Sequence, residues 1–287
     1  MKILITGHTG QVAQALRLAL HGHELISLGR QEFDLAQPAS LGQVIERHQP
    51  DWLINAGAYT AVDLAEQEAE LAHTINAQAP AAMARACAEL GVALMHYSTD
   101  YVFDGRLERP YREDDATNPL GVYGASKLAG ERAIAASGCE HLILRTSWVY
   151  SRVGKNFLLT MQRLLQERDQ LKVVDDQIGA PTWAGSIAQA SAQLLETWQL
   201  GERHSGIYHF TCQGHTSWYG FASAIADHLR AQGKSCAQLS PIPSRDYPTP
   251  AQRPLNSRLD GSKLLRDWKV QLPHWQDALA QCLEPTS

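Results

Sequence analysis

The fold is decided by the opening residues, Met1-Lys-Ile-Leu-Ile-Thr-Gly7-His-Thr-Gly10-Gln-Val12. An apolar strand runs directly into a Gly7-x-x-Gly10 turn and then into a candidate helix. Gly7 allows a tight turn, Gly10 lets the backbone approach a pyrophosphate, and Ala13 permits close packing of helix on strand. The N-terminus of such a helix offers free N–H groups and a positive dipole end to an anion. Alone, the motif also fits a plain strand-to-helix turn; at the head of a βαβ series it predicts a dinucleotide-binding turn.

The same pattern repeats through residues 1–150, a short apolar run followed by an amphipathic stretch. Uniformly apolar runs of this length are typical of parallel strands buried on both faces. The predicted strands are Ile3–Thr6, Leu25–Leu28, Trp52–Asn55, Ala93–Ser98 and His141–Arg145. The predicted helices are Val12–Leu20, Leu41–His48, Glu66–Leu90 with a break near Ala72–Asn76, and Tyr123–Ser137. This alternation predicts an α/β fold, a Rossmann-type doubly wound parallel sheet with right-handed crossovers.

Past residue 150 the alternation loosens. Helical periodicity continues at Asn156–Glu167, Trp183–Trp198 and Ser217–Gln232. The proline-rich stretch Pro241–Pro254 cannot hold a regular helix and is expected to wrap a surface or line a cleft. We predict a dinucleotide-binding domain at residues 1–149 plus roughly 170–198, interleaved with a smaller α/β substrate domain at roughly 150–169 and 199–287.

Composition excludes several classes of function. The 287 residues carry 30 acidic and 25 basic side chains, a formal net charge of -5, which does not favour binding to nucleic acid or anionic lipid. No run of 18 apolar residues is present, so no membrane span is predicted. The five cysteines are scattered and the histidines lack companion ligands, which predicts no disulfide framework and no metal site. A cytoplasmic protein is expected.

The end of the second predicted strand bears on the choice of cofactor. It reads Leu28-Gly29-Arg30. An acidic residue here accepts from the ribose 2′-OH of NAD and repels the 2′-phosphate of NADP. This triplet has no carboxylate, and the Arg30 guanidinium suits a phosphate. We predict NADPH as cofactor, with NADH as the alternative; an ordinary solvated Arg30 is the competing interpretation. Asp34 and Leu35 are predicted to flank the adenine.

Tyr123 and Lys127 form a candidate catalytic pair. Their spacing puts both side chains on one face of a helix. A nearby ammonium stabilises a phenolate, so Lys127 is expected to lower the pKa of Tyr123 toward that of a working general acid. Tyr123 would then give a proton to a carbonyl oxygen while a nicotinamide delivers hydride to the carbon. An ordinary surface pair is the alternative.

Ser98 and Thr99 end the fourth predicted strand, where ligands of open parallel sheets bind. A hydroxyl at this place would hydrogen-bond a substrate carbonyl and orient it toward Tyr123. A turn or helix cap is the competing interpretation. The joint occurrence of the glycine turn, Ser98-Thr99 and the Tyr123/Lys127 pair favours a reductase site.

The chain resembles the extended short-chain dehydrogenase/reductase superfamily, and within it the dTDP-4-dehydrorhamnose reductases, over nearly its whole length. The motifs that carry the resemblance are residues 7–12, Asn55–Asp63, Tyr97–Gly105, Asn118–Glu131, Arg145–Tyr150, Asp176–Thr182 and Arg253–Ser257. The last two are more specific to this branch than the glycine turn or Tyr-x-x-x-Lys.

The resemblance implies reduction of the 4-keto group of dTDP-4-dehydro-L-rhamnose to dTDP-L-rhamnose, a precursor of cell-surface polysaccharides such as O-antigen. In the family pattern Tyr123 donates the proton, Lys127 tunes it and binds the nicotinamide ribose, and Thr99 orients the keto group. Cofactor contacts are implied for Gly10, Gln11, Val12, Ala58, Tyr59, Thr60 and Tyr97. Sugar-nucleotide contacts are implied for Asp100 and Trp148, with Asn156 and Arg253 as further candidates.

Trp148 also suits a deoxysugar as an apolar wall with a polar edge, although a core tryptophan is the alternative. Arg253 suits a pyrophosphate because of its guanidinium.

Family members described as metal-bridged homodimers carry glutamates where this chain has Gln14-Ala15 and Trp183-Ala-Gly185. Without a carboxylate for a hard cation, we predict no structural magnesium and a monomer or weak homodimer. Two other functions stay open. One is a related nucleotide-sugar 4-ketoreductase of other stereochemistry, or an epimerase or dehydratase; Tyr101 after Asp100 disfavours dehydration. The other is a non-catalytic, NADP-binding regulatory subunit.

Overall fold

A parallel six-stranded sheet forms the centre of the structure, a computed structural model that describes residues 1–284. The strands are β1 (Lys2–Thr6), β2 (Glu24–Leu28), β3 (Trp52–Asn55), β4 (Ala93–Thr99), β5 (His141–Thr146), β6 (Val149–Tyr150), β7 (Gln170–Val174), β8 (Ile178–Gly179), β9 (Thr182–Trp183), β10 (Gly206–His209), β11 (Thr216–Ser217) and β12 (Gln238–Ile242). The central sheet has the order β10-β5-β4-β3-β1-β2. All five predicted strands are confirmed, each within one residue of its expected bounds.

Helices cover both faces of this sheet. They are α1 (Gln11–Ala19), α2 (Pro38–His48), α3 (Val62–Ala65), α4 (Ala69–His73), α5 (Ala79–Leu90), α6 (Val122–Ala135), α7 (Phe157–Glu167), α8 (Ala184–Gln199), α9 (Trp218–Ala231), α10 (Ser262–Trp268) and α11 (Trp275–Leu283). On one face α1 packs with α8, and on the other α2, α5 and α6 pack side by side. The fold class predicted from the sequence is confirmed.

Each strand serves two layers because successive side chains of a strand point to opposite faces. In β1, Ile3 and Ile5 join the cluster formed with α1 and α8, while Leu4 joins the cluster under α2 and α5. All three side chains are fully buried. Removing such a side chain from water stabilises the fold by about 1.5–3 kcal/mol. The uniformly apolar strand therefore follows from a sheet covered on both faces.

The segment between β3 and β4 departs from the prediction. The sequence favoured one helix over Glu66–Leu90, broken near Ala72–Asn76. Instead, α3 is a separate turn, and α4 continues into α5 through a π-helical turn, Thr74–Gln78. The helix is therefore widened, and not broken, at this point. The widened turn buries Asn76, whose amide accepts from the Tyr59 N–H (2.9 Å) and donates to the Tyr59 carbonyl (3.0 Å).

The later part of the chain adds a second, two-stranded parallel sheet, β7 with β12. Helix α7 packs with α9 next to this pair. The proline-rich stretch holds no α-helix; it begins at the end of β12 and continues through a short 3₁₀ turn, Ser244–Asp246. Pro241 is tolerated in β12 because each strand of a two-stranded sheet has a free edge. The division into two interleaved domains stays a prediction.

Candidate active site

The loop from β1 into α1 forms a turn suited to an anion. Gly7 has φ +76°, and a Cβ there would lie 2.9 Å from the Gly57 amide nitrogen, so only glycine fits. The Gly10 N–H donates to the Gly7 carbonyl at 2.7 Å. Within residues 1–284, no side chain caps α1 and its first turn carries no acid. The N–H groups at Gln11 and Val12 are thus offered to a ligand, as a pyrophosphate requires.

At the end of β2 the structure corrects one premise of the cofactor prediction. A carboxylate does lie there, because Glu32 folds back and accepts the Gly29 N–H at 3.2 Å. Arg30 is largely exposed and faces Asp34, with 3.6 Å between Nε and Oδ1. Asp34 Oδ1 also accepts the Ala36 N–H. Arg30, the predicted phosphate-binding residue, therefore lies close to the carboxylates of Glu32 and Asp34.

The residues expected near the adenine and its ribose meet beside the glycine turn. Leu35 lies so close to Gly57 that a Cβ on that glycine would approach it to 2.9 Å. After β3, Ala58 and Thr60 are exposed, while the Tyr59 hydroxyl donates to Glu68 at 2.6 Å. The Asn76 amide holds the Tyr59 backbone on both sides. The loops that follow β1, β2 and β3 therefore lie at one edge of the parallel sheet, and their contacts with the cofactor stay a prediction.

Helix α6 brings Tyr123 and Lys127 to the carboxyl end of β4. Burial raises the pKa of Tyr123 to about 12, although a hydrogen bond with Thr99 acts in the opposite direction. The sequence-based expectation that Lys127 lowers this pKa is therefore wrong for the structure as it stands. The reason is geometric: Lys127 Nζ is bonded elsewhere, to the Tyr97 carbonyl (2.7 Å) and to His96 Nε2 (3.1 Å).

Tyr97 was predicted to contact the cofactor. Its side chain, however, points away from the site. Its hydroxyl bonds Ser191 Oγ of α8 at 2.7 Å inside the core. Only its backbone carbonyl faces the site, where it accepts from Lys127. Burial lowers the pKa of Lys127 to about 8, against the opposing charge of Glu131.

Of the two hydroxyls that end β4, the structure brings Thr99 to Tyr123 and turns Ser98 away. Ser98 donates to Glu131, which forms a buried ion pair with Arg145 at 2.7 Å. Thr99 Oγ1 donates to Asp100 Oδ1 at 3.0 Å and accepts the Tyr101 N–H. Ser98 therefore belongs to a structural network between α6, β4 and β5.

Asp100 is buried and only half satisfied. Its Oδ2 has no hydrogen-bond partner among residues 1–284. Burial raises the pKa of Asp100 to about 6 despite hydrogen bonds from Ser257 and Thr99. A buried acceptor without a donor costs about 1–3 kcal/mol, so this oxygen is suited to a hydroxyl brought by a ligand.

Trp148 stacks on Trp218, with ring centroids 3.6 Å apart and planes 10° from parallel. Its φ of +48° is unusual for a residue other than glycine. The Trp218 indole N–H donates to Gln177 Oε1 at 3.1 Å. Trp148 is half-buried and stacks on Trp218, which lines the adjoining cleft; its contact with a sugar nucleotide stays a prediction.

A cleft of about 470 Å³ adjoins this stack. Its lining includes Phe157, Thr160, Val174, Gln177, Trp218 and Arg253. The Arg253 guanidinium is already paired with Asp63 at 2.8 Å, so its charge is shared with a carboxylate. That ion pair lowers the pKa of Asp63. Arg253 therefore lines the cleft with part of its hydrogen-bonding capacity in use, and its contact with a sugar nucleotide stays a prediction.

Asn156 has a different role from the predicted sugar-nucleotide contact. Its Oδ1 caps α7 by accepting the Leu159 N–H, and its Nδ2 donates to Gln11 Oε1 at 2.8 Å and to the Ser151 carbonyl. Both ends of the amide are engaged inside the protein. Asn156 joins α7 to the first turn of α1, and its own polar atoms do not face the cleft.

Sequence reasoning missed several residues around the site, among them Asn55, His96, Glu32, Glu131 and Trp218. Asn55 and His96 lie side by side in the register of β3 and β4. A polar residue inside an otherwise apolar strand was the available signal for both. Trp218 and Glu32 gave no such signal, since their positions depend on contacts distant in sequence.

Residues 1–284 contain neither a metal-binding cluster nor a membrane-spanning helix. No group of three or more His, Cys, Asp or Glu side chains is placed to hold a metal ion. No helix there is long and apolar enough to cross a membrane.

Comparison with known proteins decides the family. The family described as RmlD substrate binding domain matches residues 1–287. This chain belongs to that family. The RmlD-family relatives include a dTDP-4-dehydrorhamnose reductase of Burkholderia thailandensis, 45% identical over 99% of this chain and 98% of the relative. The reductase of Salmonella typhimurium is 43% identical over 96% of this chain and 95% of its own length.

A solved structure agrees with this assignment. The crystal structure of dTDP-4-dehydrorhamnose reductase from Bacillus anthracis, in complex with NADP, superposes with a TM-score of 0.91. It is 32% identical and covers 98% of this chain and 99% of the other. The RmlD family is thus supported by sequence and by fold across the whole chain.

Proposed function

We propose that this chain reduces the 4-keto group of dTDP-4-dehydro-L-rhamnose to dTDP-L-rhamnose, using NADPH. The curated relatives named dTDP-4-dehydrorhamnose reductase, at 43–45% identity over nearly the full length, support this substrate. The NADP in the Bacillus anthracis structure supports the cofactor. The product would serve cell-surface polysaccharides such as O-antigen.

One observation carries the proposal: Thr99, Asp100 and Tyr123 meet at the carboxyl end of β4, beside an uncapped helix N-terminus. A carbonyl reductase needs a proton donor, a group that orients the carbonyl and an anion site for its dinucleotide, all at this edge of the sheet. A non-catalytic binding protein needs only the last of these.

The chain's own residues have distinct tasks in this proposal. Tyr123 is protonated at neutral pH because its pKa is raised, and it donates the O–H proton to the keto oxygen. Thr99 would turn its O–H from Asp100 Oδ1 to that oxygen and hold it in line with Tyr123. Lys127, when it carries its proton, would stabilise the phenolate that forms on Tyr123 during the reaction, an effect that burial outweighs in the structure. Asp100 Oδ2 accepts a sugar hydroxyl.

The residues present fit a nicotinamide dinucleotide. The N–H groups at Gln11 and Val12 would hold the pyrophosphate, the β2 and β3 loops would hold the adenosine, and Lys127 would hold the nicotinamide ribose. When bound, NADPH supplies the hydride that goes to the keto carbon. Trp148 and the adjoining cleft hold the sugar nucleotide, with Arg253 near its pyrophosphate.

The test is loss of nicotinamide absorbance when the purified protein is mixed with NADPH and dTDP-4-dehydro-L-rhamnose. Tyr123→Phe should lower turnover by about two to four orders of magnitude and leave NADPH binding intact, since only the proton donor is removed. Tyr208→Phe is the matched control, because it removes the hydroxyl of another buried tyrosine, one that bonds the His204 carbonyl and not Thr99.

Retained turnover in Tyr123→Phe would remove this residue from the mechanism. NADPH binding without oxidation in the unaltered protein would contradict the reductase proposal. Running the UDP analogue in parallel tests the choice of nucleotide, and NADH in place of NADPH tests the choice of cofactor.

The remaining features belong to the same proposal. We infer a monomer or weak homodimer without a bridging metal, on the ground that Gln14, Ala15 and Trp183 replace the glutamates of the metal-bridged relatives. We also infer a cytoplasmic location, which suits five free cysteines. The interleaved division into a dinucleotide-binding and a substrate domain is proposed with the boundaries given above.

A further inference from the structure

A buried row of polar side chains crosses the sheet beneath the proposed site. Thr6 of β1, Asn55 of β3 and His96 of β4 are neighbours in the strand register. Each is 1% exposed. Polar groups this deeply buried are costly unless they are hydrogen-bonded, so the direction of each bond in the row is constrained.

The orientation of the Asn55 amide is fixed by its neighbours. Its Oδ1 accepts from Thr6 Oγ1 at 2.7 Å and from the Gly57 N–H at 3.2 Å. Turning the amide over would set Nδ2 against the Gly57 N–H. Asn55 Nδ2 is therefore the group that meets His96 Nδ1, at 2.9 Å, and it meets it as a donor.

The Asn55 contact selects one tautomer of His96. Because Nδ1 accepts, a neutral imidazole carries its hydrogen on Nε2, and that N–H faces Lys127 Nζ at 3.1 Å. Burial and the charge of Lys127 lower the pKa of His96 far below its ordinary value, so the ring is neutral. The atom presented to Lys127 is a donor.

This arrangement opposes a protonated Lys127. An ammonium on Nζ would either face the Nε2–H or force the other tautomer, whose Nδ1–H would face Asn55 Nδ2. Both cases set one donor against another. A neutral amine instead accepts from His96 and still donates to the Tyr97 carbonyl at 2.7 Å.

Charged and titratable groups lie on every element packed around Lys127. His96 on β4 and Glu131 on α6 act directly on Lys127, the first through a hydrogen bond to Nζ and the second through its charge. The other ionisable groups on the packed elements are Tyr123 on α6, Asp100 and Tyr101 after β4, Arg145 on β5, and Glu66, which accepts the Val122 N–H. Glu131 favours the ammonium but is neutralised by Arg145 at 2.7 Å. His96 is the one of these groups hydrogen-bonded to Nζ.

We propose that His96 is a positioning residue that sets the direction and the protonation state of Lys127, with Asn55 fixing the tautomer through which it acts. The inference rests on the proposed reductase function for its catalytic meaning. Loss of the Lys127 proton removes the charge that stabilises the Tyr123 phenolate, so turnover should fall as pH rises through the pKa of Lys127, which lies at about 8.

The direct test follows the Lys127 side chain by NMR in protein labelled with ¹³C-lysine, without NADPH, and identifies its resonance by its absence in Lys127→Ala. His96→Gln offers Lys127 an amide oxygen as acceptor. Asn55→Asp puts a carboxylate beside His96 Nδ1, so that Nδ1–H donates to it and the hydrogen-bond directions along the row are reversed. Both should raise the Lys127 midpoint by about one pH unit. His141→Gln, on the neighbouring strand, is the control. An unchanged midpoint in a folded His96→Gln or Asn55→Asp protein overturns the inference.

The second readout is kcat/KM for NADPH against pH, which reports groups of the free enzyme. Its alkaline fall should move upward with the NMR midpoint in both variants, whereas a merely structural role of His96 would lower activity at every pH. If no sugar nucleotide is reduced, the proposed function fails, and the NMR midpoint still decides the role of His96.

Discussion

Two side chains of opposite charge at the end of β2 act against each other on cofactor choice. Arg30 favours the 2′-phosphate of NADPH, whereas Glu32 repels it and suits the ribose hydroxyls of NADH. Because Arg30 is largely exposed, water and salt weaken its attraction. The outcome is a balance between two modest effects, which suits use of both cofactors.

We expect Glu32→Gln to tighten NADPH severalfold, and Arg30→Ala to weaken NADPH severalfold with little change for NADH. The measurement is fluorescence titration of each cofactor at one fixed ionic strength. Arg47→Ala, which removes an exposed arginine at the end of α2, is the control. Equal losses of both cofactors in Arg30→Ala would show that Arg30 does not contact the 2′-phosphate.

Asp100 is a buried carboxyl whose ionised form is unfavourable for the fold. Its pKa, about 6, lies above the ordinary 3.8. An acid with a raised folded-state pKa contributes stability that is complete below its ordinary value and is lost as pH rises through about 6. The ionised carboxylate therefore destabilises the protein at neutral pH.

Asp100→Asn should raise the free energy of unfolding at pH 8 by about 1–3 kcal/mol, because it removes a buried charge. The gain should disappear by pH 4, where the wild-type carboxyl is protonated. Urea unfolding at both pH values measures this, with the exposed Asp114→Asn as control. A gain of equal size at pH 4 would contradict the charge explanation. The same variant should bind the sugar nucleotide more weakly.

For single residues, the sequence predicts the chemistry of a site better than it predicts which polar atoms remain available to a ligand. Tyr123, Lys127 and Thr99 were identified from type and spacing, and they lie around the carboxyl end of β4. Asn156 looked equally suitable, yet its amide is consumed by a helix cap and by Gln11. Whether a polar atom is already bonded depends on long-range contacts that spacing does not encode.

Among elements, the short strand β8 supports the stacked tryptophans. A Cβ on Gly179 would lie 2.6 Å from Cε2 of Trp148. Trp148 already holds a strained φ of +48°, which costs about 1–3 kcal/mol. The indole cannot yield toward Trp218, since their centroids are 3.6 Å apart. β8 thus fixes the position of the Trp148 indole, the wall of the proposed sugar site.

Gly179→Ala should raise KM for the sugar nucleotide about tenfold, destabilise the fold by about 1–3 kcal/mol, and leave the Kd of NADPH unchanged. Steady-state kinetics together with NADPH titration check these expectations. Gly22→Ala is the matched control, because nothing lies within 4 Å of the added Cβ. A rise in the Kd of NADPH equal to the rise in KM would show that the damage is not confined to the sugar site.

Elements with a strong local pattern were predictable, and those made by tertiary contact were not. Strands β1 and β3 were predictable as buried strands because each has a run of three apolar residues, Ile3–Ile5 and Trp52–Ile54. The π-helical turn has the composition of an ordinary helix, and its width is set by packing on α6. Two-residue strands such as β8 and β9 have no pattern long enough to recognise.

Over the whole molecule, one hydrophobic cluster spans both proposed domains. It includes Ile3 of β1, Leu158 of α7, Phe221 of α9 and Leu279 of α11. Side chains that share a core lose their packing together. The two proposed domains should therefore unfold together, even if they bind different ligands.

We expect a single cooperative unfolding transition, with equal calorimetric and van't Hoff enthalpies. Saturating NADPH should move the whole transition to a higher temperature. At a hundredfold excess over Kd, it should raise the free energy of unfolding by about 2.7 kcal/mol. Differential scanning calorimetry with and without NADPH is the measurement. Two resolved transitions, of which NADPH moves only one, would contradict this expectation.

The strand order has a consequence for biosynthesis. β10, the neighbour of β5 in the sheet, is made of residues 206–209, so the ribosome finishes the nucleotide-binding half long before its last strand exists. Until then β5 presents a row of unpaired backbone groups, the template on which edge-to-edge aggregation starts. A fragment that ends near residue 150 should therefore form inclusion bodies, and the nascent chain needs protection at β5 until β10 emerges.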